Sequence, residues 1–396
     1  MQRGYLPAVM RLRRTLEEGT AVVGGVLSGT SGDGIDVALA KVDVDLDNEG
    51  LERVVSCTQK AFETRPFPPG VVSRVREALD GAPLGAREIA CLSRDLGFAF
   101  GSVALDCARS ANLELDLVGS HGLTIYHHDG SELDGLASMQ IGDGDHVAEA
   151  ARCSVVSDFR QRDLAAGGEG APISILADDI IFRNAPRPTA ILNLGGLANL
   201  SWLAVDAEPL AFDTGPAGSL LDGFARNLIH LPLDRGGEVA LSGHSCSELL
   251  TRWMRNPFFE QAPPKSTGRD TFGSEWVRSL LASAAPENRP ADLLATAVEF
   301  VAETVAAGLS FLPERPDCLW LAGGGVHNSA LVAALGRTCG VPVASTEELG
   351  VDPDAREALV FAILAARCAV GEPVTRTSAT GAAAGRVLGK ISQSYR

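Results

Sequence analysis

The turn after the first predicted strand combines small residues with carboxylates, a combination that can bind a phosphate together with a metal ion. Apolar residues 22–27 predict a strand, and residues 35–43 predict a second strand that pairs with it as a β-hairpin. The candidate phosphate-binding residues here are Gly29, Thr30, Ser31, Gly32, Asp33, Gly34, Ile35 and Asp36, and all but Ile35 are small or acidic. No large side chain keeps the backbone N–H groups from an anion. Asp33 and Asp36 would repel a bare phosphate, so a divalent cation should accompany it. An ordinary glycine-rich hairpin is the alternative.

Two later turns share this design, because each places glycines directly after an apolar strand. They are Gly195 with Gly196, and Gly323 with Gly324 and Gly325. One such turn is weak evidence of a site, but three at matching points of the chain are suited to binding a nucleotide. The spacing of a P-loop and that of a dinucleotide-binding turn are both missing, which disfavours those sites.

The composition is that of a globular protein with an acidic surface. The 396 residues are 45% hydrophobic and 21% charged, with a net charge of −16. This charge argues against nucleic acid or an anionic membrane as a partner. The eight cysteines are scattered without metal-ligand spacing, which favours reduced thiols and a cytoplasmic location. Residues 1–20 carry four arginines and are interpreted as an extension or, alternatively, as a targeting segment.

The order of the predicted elements repeats along the chain. In each half a strand, a small-residue turn and two further strands are followed by helices, and residue 213 is an aspartate at the end of the third strand of the second half. We therefore predict an α/β fold of two similar domains with a cleft between them. Domain I is expected at residues 1–187, completed by 371–396, and domain II at 188–370. A short strand is predicted over Leu115–Val118, with residues 119–124 at its carboxyl end, where ligands usually bind in such sheets.

Eight groups of residues, in order along nearly the whole chain, resemble the anhydro-N-acetylmuramic acid kinases. They are Ser-Gly-Thr-Ser-x-Asp-Gly-Ile-Asp at 28–36, Ser-His-Gly-x-Thr at 120–124, Asp-Phe-Arg-x-x-Asp at 158–163 with Gly-Gly-x-Gly-Ala-Pro at 167–172, Asn-x-Gly-Gly-x-Ala-Asn at 193–199, Asp-Thr-Gly-Pro at 213–216, Pro-Pro-Lys-Ser-Thr-Gly-Arg at 263–269, Gly-Gly-Gly-x-x-Asn at 323–328 and Glu-Ala-x-x-Phe-Ala at 357–362. The resemblance implies the ribonuclease H-like fold of the actin, sugar kinase and Hsp70 ATPases, with ATP in the cleft between domains.

The resemblance also implies an activity. Members of the family open the 1,6-anhydro ring of a cell-wall recycling sugar with water and phosphorylate O6 from ATP, giving N-acetylmuramic acid 6-phosphate. By position, Asp163 corresponds to the base that takes a proton from the water. Arg160 and Arg162 are expected to keep this carboxylate ionised. The alternative is that Asp158 and Asp163 cap the helix that follows the strand.

The remaining site residues follow from the same resemblance. Asp33 and Asp213 are candidates to hold Mg²⁺, directly or through water. Gly215 and Asn328 join the three turns as expected ATP-binding residues. The expected sugar-binding residues are His121, Thr124, Gln140 and Glu357. Lys265 and Arg269 are assigned either to the phosphates or the substrate's carboxylate, or to an exposed turn.

Two departures from the family pattern leave the substrate open. The family has Gln at the positions of Leu123 and Glu169, which are expected to flank the sugar pocket. Because Glu169 adds a negative charge there, a kinase of the neutral sugar levoglucosan is the second interpretation. A nucleotide-gated regulator is the third, although it has no need of a ring-opening base. Glycoside hydrolysis by Asp158 and Asp163 is the fourth interpretation, and it is disfavoured because it gives the three glycine turns no role. The resemblance further favours a homodimer.

Overall fold

The computed structural model describes residues 20–29, 32–47, 49–79, 81–129, 135–374 and 380–394. The proposed targeting segment lies outside these residues except for Thr20, and so do Thr30 and Ser31. The strands are β1 (Thr20–Ser28), β2 (Ile35–Leu46), β3 (Glu52–Arg65), β4 (Leu117–Asp129), β5 (Leu136–Ile141), β6 (Ser154–Ser157), β7 (Thr189–Leu194), β8 (Leu197–Leu203), β9 (Leu210–Pro216), β10 (Leu319–Ala322), β11 (Val343–Ser345) and β12 (Lys390–Ser392).

The α-helices lie mainly between and after these strands. They are α1 (Pro69–Leu79), α2 (Ala86–Ser110), α3 (Gly144–Ala151), α4 (Gln161–Leu164), α5 (Ile175–Ile181), α6 (Gly218–Leu228), α7 (Glu238–Leu241), α8 (Ser247–Trp253), α9 (Arg269–Phe272), α10 (Ser274–Ala282), α11 (Pro290–Leu309), α12 (Ser329–Thr338) and α13 (Arg356–Ala369). Short 3₁₀ helices occur at Arg235–Gly237, Pro257–Glu260, Gly324–His327 and Thr346–Leu349. None of the helices in the described part of the chain is long and apolar enough to cross a membrane.

The chain divides into two compact units. Unit 1 comprises Met1–Arg183 and Ala355–Arg396, and unit 2 comprises Asn184–Asp354. Each unit has its own apolar core, because the strands alternate or are wholly apolar and their helices present apolar faces.

The sheets of the two units share the order of five strands. In unit 1 the order is β12-β6-β4-β1-β2-β3, with β5 paired to β4. In unit 2 it is β11-β10-β7-β8-β9. In both, three consecutive strands form an antiparallel meander, and the first of them pairs in parallel with a later strand. The predicted duplicated α/β fold is confirmed by this repeated topology.

The boundary between the units differs from the one expected at residue 370. Helix α13 belongs to unit 1, because it packs directly on β1 and β4. A Cβ added to Gly25 would lie 1.8 Å from the Ala358 carbonyl oxygen, and one added to Gly119 would lie 2.0 Å from that of Phe361. Such close approach is possible only where the sheet carries no side chain.

Strand β4 is much longer than the predicted Leu115–Val118. It continues through residues 119–124 to Asp129, because that segment pairs with β5. The pairing of β1 with β4 has a bulge in which Val26 lies opposite Ser120 and Leu27 opposite Gly122, so His121 is the extra residue. Bulges redirect side chains and are common beside active sites.

Candidate active site

The carboxylate of Asp163 is buried in unit 1 and is held by two donors. Its side chain is 2% exposed. The Gly170 N–H donates to Oδ2 at 2.8 Å, and the Thr380 hydroxyl donates to Oδ1 at 2.7 Å. Burial raises the pKa of Asp163 above its usual value, while the Thr380 hydroxyl, the Gly170 N–H and the Arg160 charge oppose that rise. The helix-capping alternative is wrong for Asp163, because it lies inside α4 and its carboxylate bonds elsewhere.

The loop that follows Asp163 folds back over this carboxylate. The Gly168 N–H donates to the Asp163 carbonyl at 3.0 Å, and a Cβ at Gly168 would lie 2.3 Å from Asp163 Oδ2. The Glu169 N–H donates to the Thr380 carbonyl at 2.7 Å. The carboxylate is therefore enclosed by its own loop on one side and by the segment around Thr380 on the other.

Arg160, one turn before Asp163, contacts both this loop and β4. Its Nη1 donates to the Gly170 carbonyl at 2.6 Å, and its Nη2 lies 3.3 Å from Nε2 of His121. Arg162, in contrast, is exposed, and it is Arg160 that exerts the electrostatic effect on the pKa of Asp163. Arg160 thus favours the charged form of Asp163 as expected, but burial has the larger and opposite effect on the pKa of this carboxyl.

His121 is a buried, uncharged imidazole stacked on α13. Its ring centroid lies 4.3 Å from that of Phe361, with the two planes 20° apart. Burial and the neighbouring Arg160 charge hold the pKa of His121 well below its usual value. A neutral ring donates from one nitrogen and accepts at the other, which suits contact with a hydroxyl-rich ligand.

Thr124 and Gln140 lie next to His121. The Thr124 hydroxyl is 3.4 Å from His121 Nε2, and Gln140 Nε2 donates to the Thr124 hydroxyl at 3.2 Å. Gln140 Nε2 also donates to the Ser138 hydroxyl at 2.7 Å, while the buried Gln140 Oε1 has no protein partner. The structure thus joins three of the expected sugar-binding residues into one polar network with Arg160.

Glu357, the fourth of these residues, lies in the first turn of α13. It precedes Phe361 by one helical turn, so both side chains occur on the same face of α13. Since Phe361 stacks on His121, this face is the one that α13 presents to the network.

The two departures from the family pattern lie in different surroundings. Leu123 is 0% exposed and belongs to the apolar core of unit 1. Its side chain is therefore part of the packing of this core. Glu169 is half-buried in the loop that encloses Asp163.

The turn after β1 is described only in part. The Gly32 N–H donates to the Gly29 carbonyl at 3.1 Å, which closes the turn, and Asp33 is exposed. Gly34 adjoins the Arg65 carbonyl, 2.8 Å from where its Cβ would be, and Ile35 is buried. Asp36 accepts a hydrogen bond from the Thr64 hydroxyl across β2 and β3 at 2.6 Å. Of the two carboxylates, Asp33 is thus the more accessible to a metal ion.

In unit 2, Gly195 and Gly196 form the turn between β7 and β8 and bind the start of α6. The Gly196 carbonyl accepts from the N–H groups of Ala217 and Ser219, both at 3.0 Å, and the Gly195 carbonyl accepts from the Gly218 N–H at 2.9 Å. These bonds fix the turn against the first residues of α6 and occupy the N–H groups of Ala217, Gly218 and Ser219.

Asp213 occupies β9 opposite Asn199 of β8. Its Oδ1 accepts from Asn199 Nδ2 at 3.0 Å, and its Oδ2 accepts from the Thr267 N–H at 2.9 Å. Asn199 Oδ1 and Thr267 Oγ1 are buried without a protein partner. Carboxylate, amide and hydroxyl oxygens are ligands that suit Mg²⁺, which needs only one or two carboxylates beside phosphate and water. The residues present therefore fit a magnesium ion.

Lys265 anchors the loop that holds Asp213, and it is buried rather than part of the exposed turn that was the alternative expectation. The side chain is 8% exposed, and Nζ donates to the Phe258 carbonyl at 3.0 Å. Nζ also lies 4.6 Å from the Phe258 ring centroid and 5.1 Å from that of Phe311. Burial lowers the pKa of Lys265, and the charge of Asp213 opposes this.

The third glycine turn follows β10. The Gly323 N–H donates to the Pro353 carbonyl at 2.8 Å, and Gly324 has open space where a side chain would be. Asn328 is the N-cap of α12, since its Oδ1 accepts from the Leu331 N–H at 3.0 Å. Gly215 lies at the end of β9, where a Cβ would be 3.0 Å from the Phe259 ring.

Comparison with known proteins decides the family. The sequence pattern described as "Anhydro-N-acetylmuramic acid kinase" matches residues 21–394. The chain belongs to this family. A relative of that name in Gloeobacter violaceus is 38% identical over 376 residues, which cover 93% of this chain and 97% of the relative. One in Bacillus cereus is 35% identical over 387 residues, covering 93% and 98%.

The chain is also similar to solved structures at low identity. One is the activator of the 2-hydroxyisocaproyl-CoA dehydratase from Clostridium difficile with bound ADPNP, at 16% identity and a TM-score of 0.37, covering 88% of this chain and 95% of that one. Another is the ROK hexokinase from Thermus thermophilus, at 15% identity and a TM-score of 0.33, covering 87% and 97%.

Within this member of the anhydro-N-acetylmuramic acid kinase family, sequence reasoning missed four residues that support the site. They are Thr380, Asn199, Thr267 and Phe361. Asn199, Thr267 and Phe361 lie inside the family motifs, so their place in a motif was a usable signal. Thr380 gave none, because 217 residues separate it from Asp163.

Proposed function

We propose that the protein is an ATP-dependent kinase that opens the 1,6-anhydro ring of 1,6-anhydro-N-acetylmuramic acid with water and phosphorylates O6. The product is N-acetylmuramic acid 6-phosphate. Membership of the family over residues 21–394 supports this assignment. The single structural observation that carries it is the buried carboxylate of Asp163, whose two oxygens are each fixed by one donor.

Asp163 acts as the general base of the ring opening. It takes a proton from a water molecule, whose oxygen forms a bond to the anomeric carbon as the bond from that carbon to O6 breaks. The freed O6 attacks the γ-phosphorus of ATP, and ADP leaves. The raised pKa of Asp163 brings the carboxylate closer to the pH at which a base is most effective. General-base catalysis of this kind contributes about 10²–10⁴-fold to the rate.

The network of His121, Thr124 and Gln140 binds the sugar, together with Glu357. The unpartnered Gln140 Oε1 supports this role, because a buried acceptor without a donor costs free energy unless a ligand supplies one. The neutral imidazole of His121 hydrogen-bonds to an uncharged oxygen of the sugar.

ATP is bound by the glycine turns of the two units. We assign to it Gly29, Thr30, Ser31, Gly32, Asp33, Gly34, Ile35, Asp36, Gly195, Gly196, Asp213, Gly215, Gly323, Gly324, Gly325 and Asn328. Asp33 and Asp213 would hold Mg²⁺ with the phosphates. When bound, this ion neutralises charge on the phosphoryl group in transfer. The cytoplasm is the proposed location, and the family resemblance predicts a homodimer there.

Incubation in H₂¹⁸O with ATP and 1,6-anhydro-N-acetylmuramic acid tests the proposal. Mass spectrometry should find one phosphate and one ¹⁸O atom in the sugar product, with the ¹⁸O at C1 and none in the phosphate. Levoglucosan is the parallel substrate. Turnover of levoglucosan alone would favour the second interpretation, which rests on Glu169 now that Leu123 is a core residue. Turnover of neither sugar would refute the kinase assignment.

A further inference from the structure

The two terminal nitrogens of Arg160 connect the loop over Asp163 with the imidazole of His121. Nη1 donates to the Gly170 carbonyl at 2.6 Å, and Nη2 lies 3.3 Å from Nε2 of His121. An arginine fork presents its donors in a fixed plane, so fixing one of its bonds also orients the other.

Gly170 connects Arg160 with the carboxylate of Asp163 through two hydrogen bonds. The same residue accepts from Arg160 through its carbonyl and donates to Asp163 Oδ2 through its N–H at 2.8 Å. The other oxygen of Asp163 is fixed by Thr380 at 2.7 Å. The direction of the Gly170 N–H is therefore one of two constraints on the carboxylate, and Arg160 fixes the residue that provides it.

His121 holds the guanidinium from the other side. To accept from Arg160, Nε2 must carry no proton, so the ring proton is on Nδ1. The low pKa of His121, caused by burial and by the Arg160 charge, keeps the imidazole in this neutral form. Stacking on Phe361 at 4.3 Å fixes the plane of the ring.

We propose that Arg160 is a positioning residue for the ring-opening step, held in place by His121 and acting on Asp163 through Gly170. This inference rests on the proposed role of Asp163 as the general base. Arg160 has a second effect, since its charge lowers the pKa of Asp163 against the larger effect of burial. The two effects, position and charge, can be separated by substitution.

The other charged groups near the loop do not duplicate Arg160. Arg162 is exposed on α4, and Asp158 forms an ion pair with Lys390 of β12. His127 of β4 exerts a further effect on the pKa of His121, smaller than that of Arg160. Arg162 is thus a matched control, because it has the same charge and lies one residue from Asp163.

The test compares Arg160→Lys, Arg160→Met and Arg162→Met, with kcat, KM and the pH dependence of kcat measured for the anhydro sugar. Arg160→Lys keeps the charge and loses the fork, so kcat should fall by about 10²-fold while the acid limb of the profile stays in place. Arg160→Met should lower kcat by the same factor. It should also move the acid limb to higher pH, because the pKa of Asp163 rises. Arg162→Met should match the wild type.

Thermal unfolding of each variant separates these effects from a loss of structure. An Arg160→Met protein that is destabilised but keeps kcat and the acid limb would overturn the inference, and so would an Arg162→Met protein with the same defect as Arg160→Met. Asp163→Asn tests the underlying assignment separately. If Asp163→Asn retains sugar-dependent ADP release, the proposed base is wrong, whatever the Arg160 variants show.

Discussion

The two aspartates assigned to the chemistry, Asp163 in unit 1 and Asp213 in unit 2, are held in similar ways but in different surroundings. Each carboxylate accepts one hydrogen bond from a backbone N–H and one from a side chain. Asp163 is almost fully buried and the cation near it, Arg160, is bonded to the same loop. Asp213 is only half-buried, and its cation, Lys265, is enclosed by aromatic rings.

This difference in burial suits the two carboxylates to different chemistry, although similar hydrogen bonds hold them. Burial favours the protonated form of a carboxylate, which suits a group that must gain and lose a proton. Partial exposure leaves lone pairs for an ion or water, which suits a metal ligand. The hydrogen-bond donors differ as well. The donors to Asp163 are Gly170 of the loop that encloses it and the distant Thr380. The donors to Asp213 are Asn199 of the neighbouring strand β8 and Thr267 of the loop beside it.

The largest effect is expected from Asp163→Asn, which removes the base but not the hydrogen bonds. Asparagine can accept from the Gly170 N–H and donate to the Thr380 hydroxyl, so the fold should persist. Sugar-dependent kcat should fall by about 10²–10⁴-fold, measured by coupled ADP release. The control is Asp158→Asn, at an exposed ion pair with Lys390, and it should retain activity.

Asp163→Asn should also unfold at a higher temperature than the wild type. The pKa of Asp163 is higher in the folded state than in the unfolded state, so ionisation of this carboxyl opposes folding. The cost in stability is absent below the unfolded-state pKa and complete above the folded-state pKa. Asparagine removes this cost at neutral pH. A lower melting temperature at pH 7, with activity lost, would indicate that the carboxylate is structural.

Asp213→Asn should weaken the binding of Mg²⁺. We expect the Mg²⁺ concentration for half-maximal activity to rise by about 10–100-fold, because a ligand or its water bridge loses its charge. A Mg²⁺ titration at saturating ATP and sugar measures this. Asp206→Asn, in the exposed loop after β8, is the matched control. Equal Mg²⁺ dependence of both variants would remove Asp213 from the metal site.

Thr380→Val should alter the pH profile more than the maximal rate. The hydroxyl donates to Asp163 Oδ1 and lowers the pKa of that carboxyl, so its loss raises the pKa. The acid limb of kcat should move to higher pH, and Thr380→Ser should restore it. An acid limb that is unchanged in Thr380→Val would show that the Thr380 bond does not tune the base.

The smallest effect is expected from Lys265→Met, which keeps the length and apolar stem of the side chain. The loop loses its bond to the Phe258 carbonyl, so the Thr267 N–H holds Asp213 less firmly. The Mg²⁺ requirement should rise, but less than for Asp213→Asn. A Lys265→Met enzyme with wild-type Mg²⁺ dependence would limit Lys265 to a role in stability.

Periodicity and turn chemistry predict most elements of this fold from sequence. Apolar residues at helical spacing, from Ile89 to Val103, predict a helix over residues 86–111, which the structure has at Ala86–Ser110. Residues 189–194 predict a strand, and this strand is β7. Repetition of the element order predicted the shared topology of the two sheets. These features are local or repeat locally, which is why a single sequence reveals them.

The parts that sequence could not provide depend on contacts between distant residues. Alternation along β4 does not show the bulge that makes His121 the extra residue. The amphipathic pattern of α13 does not show which sheet it packs on. Lys265 follows two prolines in a segment that resembles an exposed turn, yet aromatic residues from other elements bury it. The motifs therefore predicted the candidate site residues, and the structure added the residues that hold them in place.

The interrupted path of unit 1 has a consequence during synthesis on the ribosome. Helix α13, Thr380 and β12 are translated after all of unit 2, and each is part of unit 1. Domains generally fold as units when their chain is available. The second unit can therefore fold first, and the carboxylate of Asp163 acquires its second hydrogen bond only when Thr380 has left the ribosome. Until then the nascent chain contains the proposed base, Asp163, without the hydrogen bond from Thr380 that fixes its carboxylate.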